Sequence, residues 1–147
     1  MPLVSKKDLC KFLPHSGAMC LLDSVLRWDM TTISCAASSH RDHQNPLRRA
    51  QGLETVCGLE YAAQAIGVHI GLTTSLTNKG PAMGYVGSIK NLKIHSPHLD
   101  PFQNDLEIHA EMLLGQETGF IYSFLIKARL TVLLEGRASI FVKSIVE

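Results

Sequence analysis

The chain has 147 residues, of which 46% are hydrophobic and 18% are Asp, Glu, Lys or Arg, and its net charge is +1. That length predicts one domain, 1–147, with a core large enough to stand without disulfides or metals, and the charge balance excludes a disordered chain and leaves no basic footprint for nucleic acid beyond the Arg48, Arg49 pair. No window approaches the ~20 apolar residues of a membrane span and the N-terminus has no signal-peptide core, so a cytoplasmic protein is the expectation.

The first element is "SKKDLCKFL", in which Leu9, Phe12 and Leu13 fall as on a short amphipathic helix that starts at a capping Ser and ends at Pro14. "AMCLLDSVLRWD" and "TTISCAASS" read as two strands joined by a tight Asp-Met turn. The next thirteen residues, His40 to Gly52, are polar, contain a Pro and have no sustained periodicity, which marks a loop long enough to carry function.

From Leu53 to about Leu76, Leu59, Ala62, Ala63, Ile66 and Ile70 keep helical spacing, while Tyr61, Ala65, Val68 and Leu72 make the flanks apolar too. A helix apolar nearly all round is a buried one. After "NKGPAMG" four segments take strand character: "YVGSIKNLKIH", "LEIHAEMLLG", "GFIYSFLIKARL" and "VLLEGRASIFVKSIV", the last two separated only by a bend. Strands in succession argue for an antiparallel sheet and an α+β class. A sheet of five or six strands buries one central helix by curling around it, and the side left open is best covered by a second subunit.

The four cysteines form no C-x-x-C pair, and each lies in or beside an apolar run, so they read as small buried thiols. No two potential ligands keep a recognised metal spacing, and no metal site is expected.

One residue breaks the pattern of the long helix. Between Thr55 and Asn78 the only Asp, Glu, Lys or Arg is Glu60, and ionising a carboxylate among apolar side chains is costly without partners. The order of elements, with "FLPHSGAMCLLDSVL" before the loop and "GLEYAAQAIGVHIGL" in the helix, resembles the hotdog-fold 3-hydroxyacyl-carrier-protein dehydratases over essentially the whole chain. The similarity is greatest to a bacterial subgroup of predicted dehydratases of the aryl-polyene type. The resemblance implies a curled antiparallel sheet wrapped around one long central helix, and a His from the loop facing a Glu of the helix across a dimer interface. It also implies an acyl carrier protein as partner, with the substrate carried on phosphopantetheine and no other cofactor. The dimer would be a homodimer or a heterodimer with a related subunit.

Dehydrating a 3-hydroxyacyl thioester requires a base for the C2 proton and an acid for the departing C3 hydroxyl. The resemblance assigns the acid to Glu60, whose apolar surroundings favour the neutral, proton-donating form. Gln64, one turn on, is expected to hydrogen-bond that carboxylate or to hold the loop, and Gly58, near the helix N-terminus, to help bind the developing oxyanion through backbone N–H. In the loop the well-known dehydratases carry Gly-His-Phe-Pro-Gly, the closer subgroup carries His-Pro-Leu-Arg, and this chain reads "NPLR". Asn45 therefore stands where the catalytic His is expected, and Asn is no general base. That leaves His43 as the base, with His40 as the alternative, and Asn45 to orient water or to donate to the thioester oxygen. Arg48 is expected to hold the loop through a carboxylate or to meet the phosphopantetheine, Arg49 to meet an acidic carrier, and His15 to fix the turn into the first strand. Two further readings stay open: an acyl thioesterase of the same fold, in which Glu60 activates water, and a catalytically silent acyl-binding subunit paired with an active homologue.

Overall fold

The computed structural model describes residues 3–14, 17–76 and 82–144. His15 lies outside them, so its expected role in the turn is not addressed further.

Ser5 caps a four-residue helix, α1 (Lys6–Leu9), by accepting from the Asp8 N–H, and a 3-10 turn (Cys10–Phe12) follows. Val4–Ser5 forms a two-residue strand, β1, that sequence reading missed, and β2 (Ser24–Trp28) and β3 (Thr32–Ala37) form the expected hairpin. Asp29 closes its turn: one carboxylate oxygen accepts the N–H groups of Thr31 and Thr32 at 2.9 and 2.8 Å. These bonds, that from Thr31 first, pull the Asp29 carboxyl down to about 2.

β2 begins six residues later than the sequence suggests. Cys20, Leu21 and Leu22 are consecutive and all buried, and none of them pairs in a strand ladder. They form an irregular strip instead.

The long helix is α2 (Gly58–Leu76), entered through a 3-10 turn at Thr55–Cys57. The rest of the chain is β4 (Ala82–Ile94), β5 (Leu106–Gln116), β6 (Gly119–Ala128) and β7 (Thr131–Ser144), the last two joined by Arg129 and Leu130 with Arg129 at φ 53°. All seven strands form one antiparallel sheet in the order β1-β2-β3-β5-β6-β7-β4.

Period-two alternation sets its two faces. Leu106, Ile108 and Ala110 of β5 and Tyr122, Phe124, Ile126 and Ala128 of β6 are buried, and α2 packs against β3, β4, β5 and β6 on that side. The opposite face is polar, with Ser34 Oγ 2.6 Å from His109 Nδ1 and His109 Nε2 3.0 Å from Glu107. Bulges in β2, β4, β5 and β7 bend the strands so that the sheet curls around the helix. From Gly58 to Thr74 no α2 residue is fully exposed, which is the all-round burial its composition predicts. No helix among the described residues is long and apolar enough to cross a membrane.

The cysteine reading needs correction. Cys10 and Cys20 are joined in a disulfide. The chain reverses between α1 and the buried strip, and that reversal, invisible in the ten-residue spacing, brings the two together. Cys35 and Cys57 are free thiols, Cys35 buried and Cys57 partly so. Burial pushes the Cys35 thiol up to about 12.

Candidate active site

Glu60 lies in the first turn of α2, half-buried. Its partner is Gln64: Nε2 donates to Glu60 Oε1 at 3.2 Å and to Met19 O at 2.7 Å, and Oε1 accepts the Leu21 N–H at 2.9 Å. The orientation of this amide is forced, because the Leu21 N–H can only donate and the Met19 carbonyl can only accept. With both N–H groups and the carbonyl engaged, Gln64 has one way to sit, and it carries Glu60 with it. The expected i, i+4 bond is present, and the anchor behind it is the strip before β2.

Gly58 is buried, and a Cβ there would lie 2.7 Å from Leu134 Cδ2 and 2.9 Å from Ile126 Cδ1. The missing side chain lets the N-terminus of α2 close onto β6 and β7. Its N–H already donates to Thr55 O and Val56 O in the 3-10 turn.

A narrow apolar crevice of about 10 Å³, room for roughly one water, runs along the same helix, between Leu59, Ala62, Ala63 and Ile66 of α2, Val86 and Ile89 of β4, and Phe124 and Ala138 beneath. It begins beside Glu60 in sequence and is free of charged side chains.

The loop is ordered by its own polar groups. Asn45 is buried, with 6% exposure. Its Nδ2 donates to Ser39 O at 2.9 Å and to the Tyr61 hydroxyl at 3.0 Å, while Oδ1 accepts the Leu47 N–H at 2.9 Å. The Ser39 hydroxyl gives its single proton to Leu21 O at 2.8 Å, so the 2.7 Å contact between Ser39 Oγ and Tyr61 is donated by the tyrosine. The whole set closes with no donor left over. Burial holds the Tyr61 hydroxyl above its ordinary range.

Arg48 meets the carboxylate that sequence reading asked for without naming: Asp100, 3.6 Å away, with a second contact to His40 O at 3.5 Å. Asp100 also accepts the Leu53 N–H at 2.8 Å. Gly52, at φ 110°, permits this close approach, since a Cβ would fall 2.7 Å from an Asp100 oxygen.

The histidines separate. His40 is fully buried, Nε2 donates to Phe102 O at 2.9 Å, and Nδ1 is buried without a partner. Burial lowers its proton affinity. A ring so enclosed cannot swing out as a base, so the alternative to His43 falls. His43 is exposed on the loop and makes no side-chain hydrogen bond among the described residues. His69, given no role from sequence, is buried between the Tyr122 hydroxyl at 2.6 Å and Asp29 O at 2.8 Å.

The structure thus brings Glu60 and Gln64 together, and links Asn45 to Tyr61, the residue after Glu60. Tyr61, Ser39, Asp100 and the Met19–Leu22 strip were missed. For Tyr61 a signal existed, since a tyrosine in an apolar helix needs a partner for its hydroxyl. For Asp100 and the strip there was none.

The dehydratase heterocomplex ApeI:P from Xenorhabdus doucetiae superposes with a TM-score of 0.83 at 25% identity, covering 95% of this chain and 93% of that one. A thioesterase from Haemophilus influenzae (TM-score 0.69, 13% identity, 97% and 93% covered) and a mutant thioesterase from Pseudomonas aeruginosa (0.68, 11%, 94% and 93%) share the fold. Among curated proteins none matches the chain. The ApeP-like family model, described as ApeP dehydratase, matches residues 7–147, and the chain belongs to the ApeP-like dehydratase family.

Proposed function

We propose that this chain is the acid-bearing half of a dimeric dehydratase that converts 3-hydroxyacyl thioesters, held on the phosphopantetheine of an acyl carrier protein, to 2-enoyl thioesters. The observation that carries the reading is Glu60: one carboxylate on an otherwise uncharged helix, fixed by Gln64. A base removes the C2 proton, the electron pair forms the C2–C3 double bond, and the C3 hydroxyl leaves as water with a proton from Glu60. The step needs neither metal nor nucleotide. Gln64 positions Glu60. Arg48, paired with Asp100, holds the loop, Gly58 brings the helix N-terminus against the sheet where the thioester oxygen would be received, and Asn45 anchors the loop that frames the entrance.

The base divides two forms of the assembly. Asn45 spends its amide on Ser39 and Tyr61, and the remaining free loop imidazole of this chain is His43. In a homodimer His43 is the base. In a heterodimer the loop of a related hotdog chain supplies it, as suits a family relative seen in a heterocomplex. The surface supports pairing: β4 is an edge strand, and Val86, Ile94 and, on β7, Phe141 are 48%, 49% and 61% exposed beside it.

The test is turnover of a 3-hydroxyacyl carrier-protein thioester by the chain alone and by the chain co-purified with a related hotdog partner. Glu60→Gln lowers kcat by about a hundredfold or more in whichever form is active, and His43→Ala does so only if the homodimer is the enzyme. Full activity of Glu60→Gln, or release of free thiol in place of the enoyl product, overturns the reading.

A further inference from the structure

The segment Met19–Leu22 has no strand ladder of its own, yet each of its carbonyls is taken. Met19 O accepts from Gln64, Cys20 O and Leu22 O each accept from Lys6 Nζ at 2.8 Å, and Leu21 O accepts from Ser39. The Leu21 N–H completes the set by donating to Gln64 Oε1. Gln64 therefore takes its orientation from the residues on either side of Cys20, and passes it to Glu60. The one covalent tie on this strip is the disulfide from Cys20 to Cys10.

Cys10 sits at the start of a 3-10 turn seated on α2 itself. The Phe12 ring occupies the space a side chain at Gly71 would fill, and Leu13 lies 3.5 Å from where one at Gly67 would begin. The disulfide thus fastens the strip to an element that rests on the same helix as Glu60 and Gln64. A loop of helix, 3-10 turn, disulfide, strip and Gln64 is closed, and the disulfide is its one bond that opens by chemistry rather than by unfolding.

We propose that the Cys10–Cys20 disulfide is a redox control on Glu60, acting through the Met19–Leu22 strip and the positioning residue Gln64; this rests on the reading of Glu60 as the acid. The reductant is a dithiol. One of its thiolates attacks Cys10 Sγ, the less buried sulfur, and the S–S bond breaks with its electron pair going to Cys20, which takes up a proton. The second thiol of the reductant then attacks its own sulfur in the mixed disulfide and releases Cys10 as a thiol. Two electrons and two protons pass to the protein, and the dithiol leaves as a disulfide. Two thiols cannot approach as closely as two bonded sulfurs, so Cys20 moves away from Cys10 and carries Met19 O and the Leu21 N–H off Gln64. Gln64 then regains freedom to rotate, and Glu60 loses its fixed position.

The test equilibrates the full chain, with its partner where turnover requires one, in mixtures of reduced and oxidised dithiothreitol, and reads three quantities. Under denaturing conditions the oxidised protein shows two reactive thiols, Cys35 and Cys57, and the reduced protein four. Hydrogen exchange at the Leu21 amide speeds up at least tenfold on reduction, while the Ile108 amide in the β5 ladder does not change. Turnover falls at least fivefold in kcat with KM within twofold, since the acid is displaced and the crevice is not. The Cys10→Ser/Cys20→Ser double variant behaves as the reduced protein and ignores the dithiol, and Cys57→Ser responds as the parent does. Should the double variant fail to fold, the titration of the unaltered chain decides alone. Four thiols in the oxidised mixture, or an unchanged Leu21 amide on reduction, overturns the clamp. A Leu21 amide that responds in a protein without dehydratase turnover leaves the clamp standing and removes the reading of Glu60. A responsive amide with turnover that Glu60→Gln abolishes and reduction leaves untouched overturns the control of Glu60.

Discussion

Replacing Asn45 with Ala tests whether this residue anchors the loop. The side chain makes three hydrogen bonds, two donated by Nδ2 to Ser39 O and the Tyr61 hydroxyl and one accepted by Oδ1 from the Leu47 N–H, and it is 6% exposed. At about 1 kcal/mol net for each bond, Asn45→Ala costs about 3 kcal/mol. For a chain of this length that lowers Tm by about 6–12 °C. Urea unfolding is the assay: the midpoint falls and the slope m stays constant, because the surface exposed on unfolding is nearly unchanged. His43→Ala is the control, since that ring is exposed and unbonded, and it stays within about 0.5 kcal/mol of the parent. Asn45→His does not rescue the anchor, because a neutral imidazole carries one N–H where Nδ2 supplies two from a single atom. A loss below about 1 kcal/mol for Asn45→Ala, or turnover gained by a folded Asn45→His protein, refutes the anchor and returns position 45 to the reaction.

Acid sensitivity follows from the two fully buried histidines. Burial holds His40 and His69 below the ordinary histidine value, so the unfolded chain binds protons that the folded one refuses. Their contribution is fully present above about pH 6.5 and is lost as the pH falls below it toward the folded values, with a slope of at most about 2.7 kcal/mol per pH unit for the pair; urea midpoints measured from pH 7 to pH 5 show it, and a flat profile contradicts it. Gly58→Ala forces a Cβ to within 2.7 Å of Leu134 Cδ2, which costs about 1–3 kcal/mol by overpacking. Leu134→Ala in the same chain recovers part of that loss in a double-mutant cycle, and strict additivity contradicts the contact.

The elements readable in the sequence are those whose own residues decide them. Alternation across Leu106 to Ala128 placed β5 and β6, and the uncharged run around Ala62 to Ile70 placed α2, because burial on one face or all round leaves a periodic record. The strip at Cys20, Leu21 and Leu22 left a false record. Three buried apolar residues in a row look like strand, and their carbonyls are satisfied by Lys6 and Ser39, side chains 14 to 18 residues away. The disulfide escaped for a related reason, as ten-residue spacing says nothing until the chain is folded back from α1 onto the strip.

The site divides along the same line. Glu60 was legible because a charge on an apolar helix is an anomaly within one element, and Gln64 because i, i+4 neighbours meet on any helix. Asn45 was legible as a departure from the family pattern, and its consequence was not. Whether an Asn at that position faces substrate or the fold depends on Tyr61 and Ser39, and the hydroxyl of Tyr61 cannot be aimed from sequence alone. With the amide turned inward, the position where the resemblance leads one to expect a His is part of the frame that holds the loop to α2. On the proposed reading, a chain with its acid on a rigid helix and an anchor at the expected base position has a reason to pair with a different chain. On that reading a homodimer would lack a base at that position in both sites, whereas one related partner with a His there would complete a site opposite Glu60.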